Sequence, residues 1–266
     1  MLFSTLLSMP LRSKCGGAAG HPASNRRLRE GMSMIRNYYE FLEALLNAGF
    51  SGAVGGKDDG AFALFRYGWG AEDETGVVWH TGNPDTDPWE WRLRILDERD
   101  DVAYAKLFFR KAGYITKEWY PYFLAARRGG KTFEDEYEDG IISHFAKRIY
   151  QAVEEHGNLP LGDIKRIAGF KREDKSKFDS AITDLQMKMY LTISGVKRNI
   201  SQDGKEYGWT TTVFSTTEAF FGESVFEQAE KISMEKACAA IKEQILHLNS
   251  AAQEKKIIKF IYASQA

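Results

Sequence analysis

A chain of 266 residues with 43% hydrophobic content and 13% aromatics has the apolar area for one large or two ordinary folded domains, which excludes an intrinsically disordered protein. Its formal net charge of -1 excludes strong long-range attraction for polyanions, so a nucleic-acid surface has to arise from local charge arrangement. No segment approaches the run of about 20 apolar residues that crosses a bilayer, and Cys15 and Cys238 stand far apart outside any Cys-x-x-Cys pair, a usage that removes a zinc ribbon or dithiol site and fits a reducing cytoplasm.

Residues 1–31, MLFSTLLSMPLRSKCGGAAGHPASNRRLREG, are short of acids and rich in Ser, Gly, Ala and Arg. Ser4, Ser8 and Pro10 break the apolar run and no positive residue precedes it, which argues against a secretory signal. The segment reads as a disordered leader, or as an over-extended start whose natural beginning is Met32 or Met34. From Ile35 to Phe50 apolar residues recur at three- and four-residue steps, predicting a helix stopped by Gly49. GGKDDG then reads as a turn, and AFALFRYG and VVWH as strands of a small antiparallel sheet.

Asp87-Pro88 is a helix entry, since Asp accepts orphan amide bonds and Pro at the first position loses nothing. The helix WEWRLRILDER follows, with Trp89, Leu93 and Leu96 on one side and Arg92, Arg94 and Arg99 facing water or an anion. VAYAKLFF reads as a strand, KAG as a turn, and Thr116 as the cap of a helix through EWYPYFLAARR, with Pro121 in its first turns. FEDEYEDGIISHFAKRIYQAVEEHG predicts one long amphipathic helix ending at Gly157.

Between Leu159 and Phe214 the order is a short apolar entry, a helix from Asp163 to Ala168, a helix from Glu173 to Met189, and strands over Tyr190–Ser194 and Tyr207–Phe214 around an Asp203-Gly204 turn. That order reads as a winged helix. Beyond Gly222 a long amphipathic pattern returns, and KKIIKFIYAS closes the chain as a strand or a last helix. The reading is therefore α+β: a leader (1–31), an N-terminal α+β domain (32–132), a winged-helix domain (133–222) and a C-terminal helical segment (223–266), with small antiparallel sheets and long flanking helices.

Lys171, Arg172, Lys175 and Lys177 gather at the start of the second of these helices, where the dipole and free amides favour anions. Glu173 and Asp174 interrupt that field, so a solvated helix start is the competing reading. Ser176, Ser180, Thr183 and Gln186 could reach base edges or sugars from the same helix. The hairpin tip carries Lys197, Arg198 and Asn199 before the turn and Lys205 after it. Residues 157–214 hold ten Lys and Arg against seven Asp and Glu, a modest local excess. A second candidate is the loop and helix start HTGNPDTDPWEWR, where His80, Asp85, Asp87, Trp89, Trp91 and Arg92 could line a pocket for a base or small ligand. The alternative is core tryptophans with Asp87 as a cap. The five histidines form no metal-ligand set, and neither a full phosphate loop nor a Gly-x-Ser-x-Gly elbow is present, so no cofactor or metal is implied.

The block LPLGDIKRIAGF, FDSAITDLQMKMYLTISG and GWTTTVF resembles the winged-helix domains of AlkZ-type DNA glycosylases. DPWEWRLRILDERDDVAYAKLFFRKAGYITKEWYPYFLAARR is similar to proteins called AlkZ-related. The resemblance implies tandem winged-helix units and, in the true glycosylases, excision of alkylated bases by a water held by Gln-x-Gln or Gln-x-Asp. Neither motif occurs in the amino-terminal half of this chain, and Gln202-Asp203 on the wing does not match, so no catalytic residue is carried over. The leading expectation is a DNA-binding winged-helix protein of this superfamily, without excision chemistry. The alternatives are an active glycosylase in which Asp85 or Asp87 orients water, and a winged helix that binds protein.

Overall fold

The computed structural model describes residues 35–52, 76–200, 203–204 and 206–263. Helix α1 (Tyr38–Ala48) starts at Asn37, whose Oδ1 accepts the Glu40 amide at 3.0 Å, and stops at Gly49 with φ 85°. Strand β1 (Phe50–Gly52) follows. The expected strand AFALFRYG and the GGKDDG turn lie outside the described residues. Its expected partner VVWH is not a strand: Val78 N–H instead bonds Thr86 O at 3.2 Å across a loop. Helix α2 (Pro88–Glu98) begins at Asp87, with Pro88 in its first turn. Its buried stripe is Pro88, Trp91 and Ile95, one position off the expected Trp89-Leu93-Leu96 side, because Trp91 is drawn against Phe41 in a stacked pair at 5.1 Å.

Strands β2 (Val102–Phe108) and β3 (Lys111–Thr116) form a hairpin. Its two-residue turn is Phe109-Arg110, with φ values of 51° and 61°, not the expected KAG. Left-handed turns normally announce themselves by Asn or Gly, and these residue types do not. Thr116 ends β3 and does not cap α3 (Tyr120–Arg128), which starts at Trp119 without a side-chain bond and holds Pro121 in its first turn.

The expected long helix divides into α4 (Phe133–Glu138), closed at its start by the Thr132–Asp135 capping box, and α5 (His144–His156), capped by Ser143. The break occurs at Gly140, φ 72°, after which the Ile141 and Ile142 amides both donate to Glu136 O. Next come β4 (Leu159–Pro160), α6 (Leu161–Ile167), a single 3-10 turn (Arg172–Asp174), α7 (Lys175–Met187), β5 (Leu191–Ile200) and β6 (Glu206–Thr216). Four helices finish the chain: α8 (Thr217–Phe221), α9 (Glu223–Glu230), α10 (Met234–Leu248) and α11 (Glu254–Tyr262). No helix among the described residues is long and apolar enough to cross a membrane.

The fold is α+β, and among the described residues the strands form one antiparallel six-stranded sheet in the order β1-β3-β2-β5-β6-β4. The two halves of that sheet meet at one residue pair, Tyr104 with Ile193, supported by Thr192 Oγ1 donating to Tyr104 O at 3.4 Å. Where small separate sheets were expected, two three-stranded ladders are fused at a narrow seam into one sheet.

Side chains on β2 and β3 alternate between two cores, as the period of two requires. Val102, Tyr104 and Tyr114 pack with Tyr38, Phe41, Leu45, Trp91 and Ile95 of α1 and α2. Ala103, Ala105 and Ile115 face the other way, onto α3 and the C-terminal helices through Phe123, Ile241, Ile245 and Phe260. Phe108 stacks on Phe260 at 3.8 Å with rings 5° apart. The segment after Gly222 therefore completes the core beneath the first ladder. A third core joins α4, α5, α6 and α7 to β4, β5 and β6 through Ile149, Val153, Ile164, Phe178, Leu185 and Phe214. Each large apolar side chain so buried stabilises the fold by roughly 1.5–3 kcal/mol before entropy is counted.

Gly49 combines a left-handed φ with a close neighbour: a Cβ there would stand 2.0 Å from Trp119 Cδ1. Gly49→Ala is therefore expected to destabilise the protein by at least about 2 kcal/mol, read by urea denaturation. Gly162→Ala, in α6 with nothing within 4 Å of the new carbon, should be stabilising by roughly 0.5 kcal/mol.

Candidate functional site

The entry to α7 is built on Phe178, which is fully buried and meets Phe170 edge-on at 4.9 Å. With that anchor fixed, the preceding turn is turned outward. Lys171 N–H donates to Asp174 Oδ2 at 3.3 Å, and Lys177 Nζ reaches Asp174 Oδ1 at 3.4 Å. The backbone bond from Lys171, then the Lys177 ammonium, holds the Asp174 carboxyl below the usual carboxylate range. Lys177 also sits 5.1 Å from the Phe145 ring. Lys171, Arg172 and Lys175 are exposed, and none of the three meets a carboxylate within ion-pair distance among the described residues. The interrupting acid Asp174 is thus consumed locally by Lys171 and Lys177.

The rest of α7 faces the first ladder. Thr183 and Gln186 are buried. Gln186 Oε1 accepts the Lys106 amide of β2 at 2.9 Å while its Nε2 donates to Ile182 O at 2.9 Å. Thr183 Oγ1 donates to Asp179 O at 2.7 Å and accepts from Lys106 Nζ at 3.3 Å. Arg110, from the β2–β3 turn, pairs with Asp184 at 2.6 Å and donates to Ser180 Oγ at 3.3 Å. The expectation that Ser180, Thr183 and Gln186 read bases is therefore corrected for Thr183 and Gln186, which are covered, and Ser180 is engaged by Arg110. Ser176 remains exposed. The cause is tertiary: β2 carries an unpaired amide at Lys106, and a buried Gln supplies its acceptor.

On the hairpin, Lys197 and Arg198 are exposed, and Lys197 stands opposite Thr211. The ladder shifts register between Ile193 and Gly195 and again between Lys197 and Asn199, so the tip is set off from the sheet by irregular pairing. Gly204 takes φ 78° in the turn. Lys205 lies outside the described residues.

In the second candidate region, Asp87 is a buried carboxylate that accepts three backbone amides: His80 at 3.0 Å, Gly82 at 2.9 Å and Trp89 at 2.8 Å. That is the cap reading. Trp91 is core, its Nε1 donating to Asp85 O at 3.1 Å. Asp85 is exposed and paired with Arg94 at 3.2 Å. The remaining three cluster: Arg92 lies over Trp89 at 3.6 Å, and the exposed His80 ring sits 4.8 Å from Trp89, tilted 53° to it. His80 adopts φ 63°, a backbone cost that its amide bond to Asp87 holds in place.

The residues least visible in sequence are Arg127 and Arg128. Arg127 donates to Met187 O, Phe260 O and Ile261 O at 2.9, 3.0 and 2.8 Å. Arg128 donates to Lys188 O, Met189 O and Glu218 Oε1, and lies 3.9 Å over Tyr190. A Lys/Arg pair in a last helical turn is a common cap signal, and nothing in the sequence names the distant carbonyls that receive it. Beside Arg127 lies a cavity of about 290 Å³ bordered by Ile141, Ser143, Asp184, Met187, Lys188 and Tyr262 among others.

A family model described as AlkZ related matches residues 35–262. No curated protein and no solved structure matches the chain.

Asp87→Ala removes the acceptor of three partly buried amides. The expected loss is about 2–4 kcal/mol, measured by chemical denaturation. A change under about 0.5 kcal/mol would contradict the cap.

Proposed function

The chain belongs to the AlkZ-related family, and from that premise we propose that it binds duplex DNA through a winged-helix module spanning residues 133–222. Supporting the module are the element order α5, α6, α7, β5, β6 and the pairing of β4 with β6 through Leu159–Phe214 and Pro160–Val213. The observation that carries the reading is the exposure of Lys171, Arg172 and Lys175, without acidic partners among the described residues, at the uncapped start of α7. Helix starts of that kind attract phosphate. Lys197 and Arg198 on the hairpin supply a second grip in this reading.

Because Thr183 and Gln186 are covered by β2, α7 meets DNA by its front end. Contacts of that kind position a duplex and carry little sequence information. The protein should therefore bind many sequences with similar affinity, a behaviour that suits the alkylation-repair connection implied by the resemblance to AlkZ-type glycosylases. The lack of Gln-x-Gln and Gln-x-Asp in the amino-terminal half, together with the full use of Asp87 as a cap, supports binding without excision.

A second reading, base excision, is favoured by one observation, the His80-Trp89-Arg92 cluster with its left-handed backbone at His80. Aromatic and cationic faces of that kind suit an extrahelical base. Under single-turnover conditions with alkylated duplex we expect no abasic product, and its appearance would replace the first reading by this one.

For the binding reading, the combined replacement Arg172→Ala, Lys175→Ala and Arg198→Ala should weaken duplex binding. It should also flatten the slope of log affinity against log salt by about 0.9 for each phosphate no longer neutralised. Unchanged affinity and slope would end the proposal.

A further inference from the structure

We propose that the cavity beside Arg127 is a binding site for a small carboxylate with an apolar body. The first ground is the guanidinium itself. Arg127 is desolvated enough that burial pushes it down to about 9, which still leaves it charged at neutral pH, and no carboxylate pairs with it among the described residues. Its three bonds go to carbonyls, one each from Nε, Nη1 and Nη2. A guanidinium has five N–H groups, so one on each terminal nitrogen finds no acceptor among the described residues. Two such donors are the number that an end-on carboxylate takes.

The second ground is the wall. Ser143 and Ala146 border the same cavity and form the opening of α5, a 13-residue helix. Ser143 Oγ accepts the Ala146 amide, which leaves the first amides of the helix aimed along its axis and positive in sign. Of the other charged groups bordering the cavity, Asp184 is neutralised by Arg110 at 2.6 Å and Lys188 by Glu136 at 2.8 Å. Among the described residues the uncompensated charge is that of Arg127, partly offset by the carbonyl ends of α7 and α11. Ile141, Ile142, Leu185, Met187 and Tyr262 supply apolar surface, and two of these stand at the rim, Ile141 with 48% and Tyr262 with 41% of their surface exposed. At about 290 Å³, with mixed polar and apolar walls and an open mouth, the pocket lies at the small end of the range for small-ligand sites. None of Lys171, Arg172 and Lys175 borders it, so the site is separate from the proposed DNA contacts.

The test uses the full chain and 2-naphthoate, with neutral 2-naphthamide and inorganic phosphate as comparison probes, by isothermal titration calorimetry. 2-Naphthoate should bind at least tenfold more tightly than either comparison probe. Ile141→Asp, a rim change at a half-exposed position, should weaken it at least tenfold. Arg127→Lys, which keeps the charge and loses the fork, should weaken it similarly where the variant folds. Equal binding of acid and amide, tighter binding of phosphate, an unaffected Ile141→Asp variant, or no heat with 2-naphthoate at millimolar concentration would each overturn the assignment.

Discussion

Two adjacent arginines at the end of α3 hold the parts of this protein in register. Arg127 receives the carbonyl ends of α7 and α11, and Arg128 receives the α7–β5 junction at Lys188 and Met189 together with Glu218 of α8. Carbonyls at helix ends are orphaned and carry partial negative charge, so a guanidinium placed there satisfies several acceptors at once. Removing either arginine would take a charged donor from several partly buried acceptors at once, a cost larger than the net worth of any one bond. The clamp matters because the sheet alone is weak between its halves: β2 and β5 share a single bridge at Tyr104 and Ile193.

The orientation of α7 follows from that clamp. With its last turn fixed by Arg127 and its second half held by Lys106 and Arg110 through Thr183, Asp184 and Gln186, α7 keeps open to solvent the outer face of its first two turns, at Lys175, Ser176, Lys177, Asp179 and Ser180. A helix held along half its length cannot sink into a groove, and what it can offer is charge at its start. The electrostatic reading of the proposed DNA surface is therefore a consequence of packing. The same constraint leaves Arg127 without an acidic partner among the described residues beside a cavity, which is why the two proposed sites have one structural origin.

Corrections to the sequence reading share a cause. The Phe109-Arg110 turn, the one-residue rotation of the buried stripe of α2, and the covering of Thr183 and Gln186 each depend on a partner more than 40 positions away or on a backbone angle that the residue types do not announce. Local patterns cannot encode such partners, because periodicity reports which face of an element is apolar and not what will cover it.

Much was nonetheless legible. The stop at Gly49, the Asp87-Pro88 entry, the end at Gly157 and the paired strands around Asp203-Gly204 are all local chemistry: a glycine for a left-handed angle, a side-chain acceptor for free amides, alternation for a half-buried strand. The α+β class follows from those elements, and the exposed cations Lys171, Arg172 and Lys175 could be marked from sequence because nothing in the tertiary structure overrides a solvated charge. Tertiary structure alone decided that two ladders fuse into one sheet, that the C-terminal helices build the first ladder's core, and that Arg127 and Arg128 reach carbonyls about 60 to 130 residues away. Hydrogen-bond acceptors on the backbone are the same for every residue type, so the sequence leaves no mark of which carbonyl a distant arginine will find.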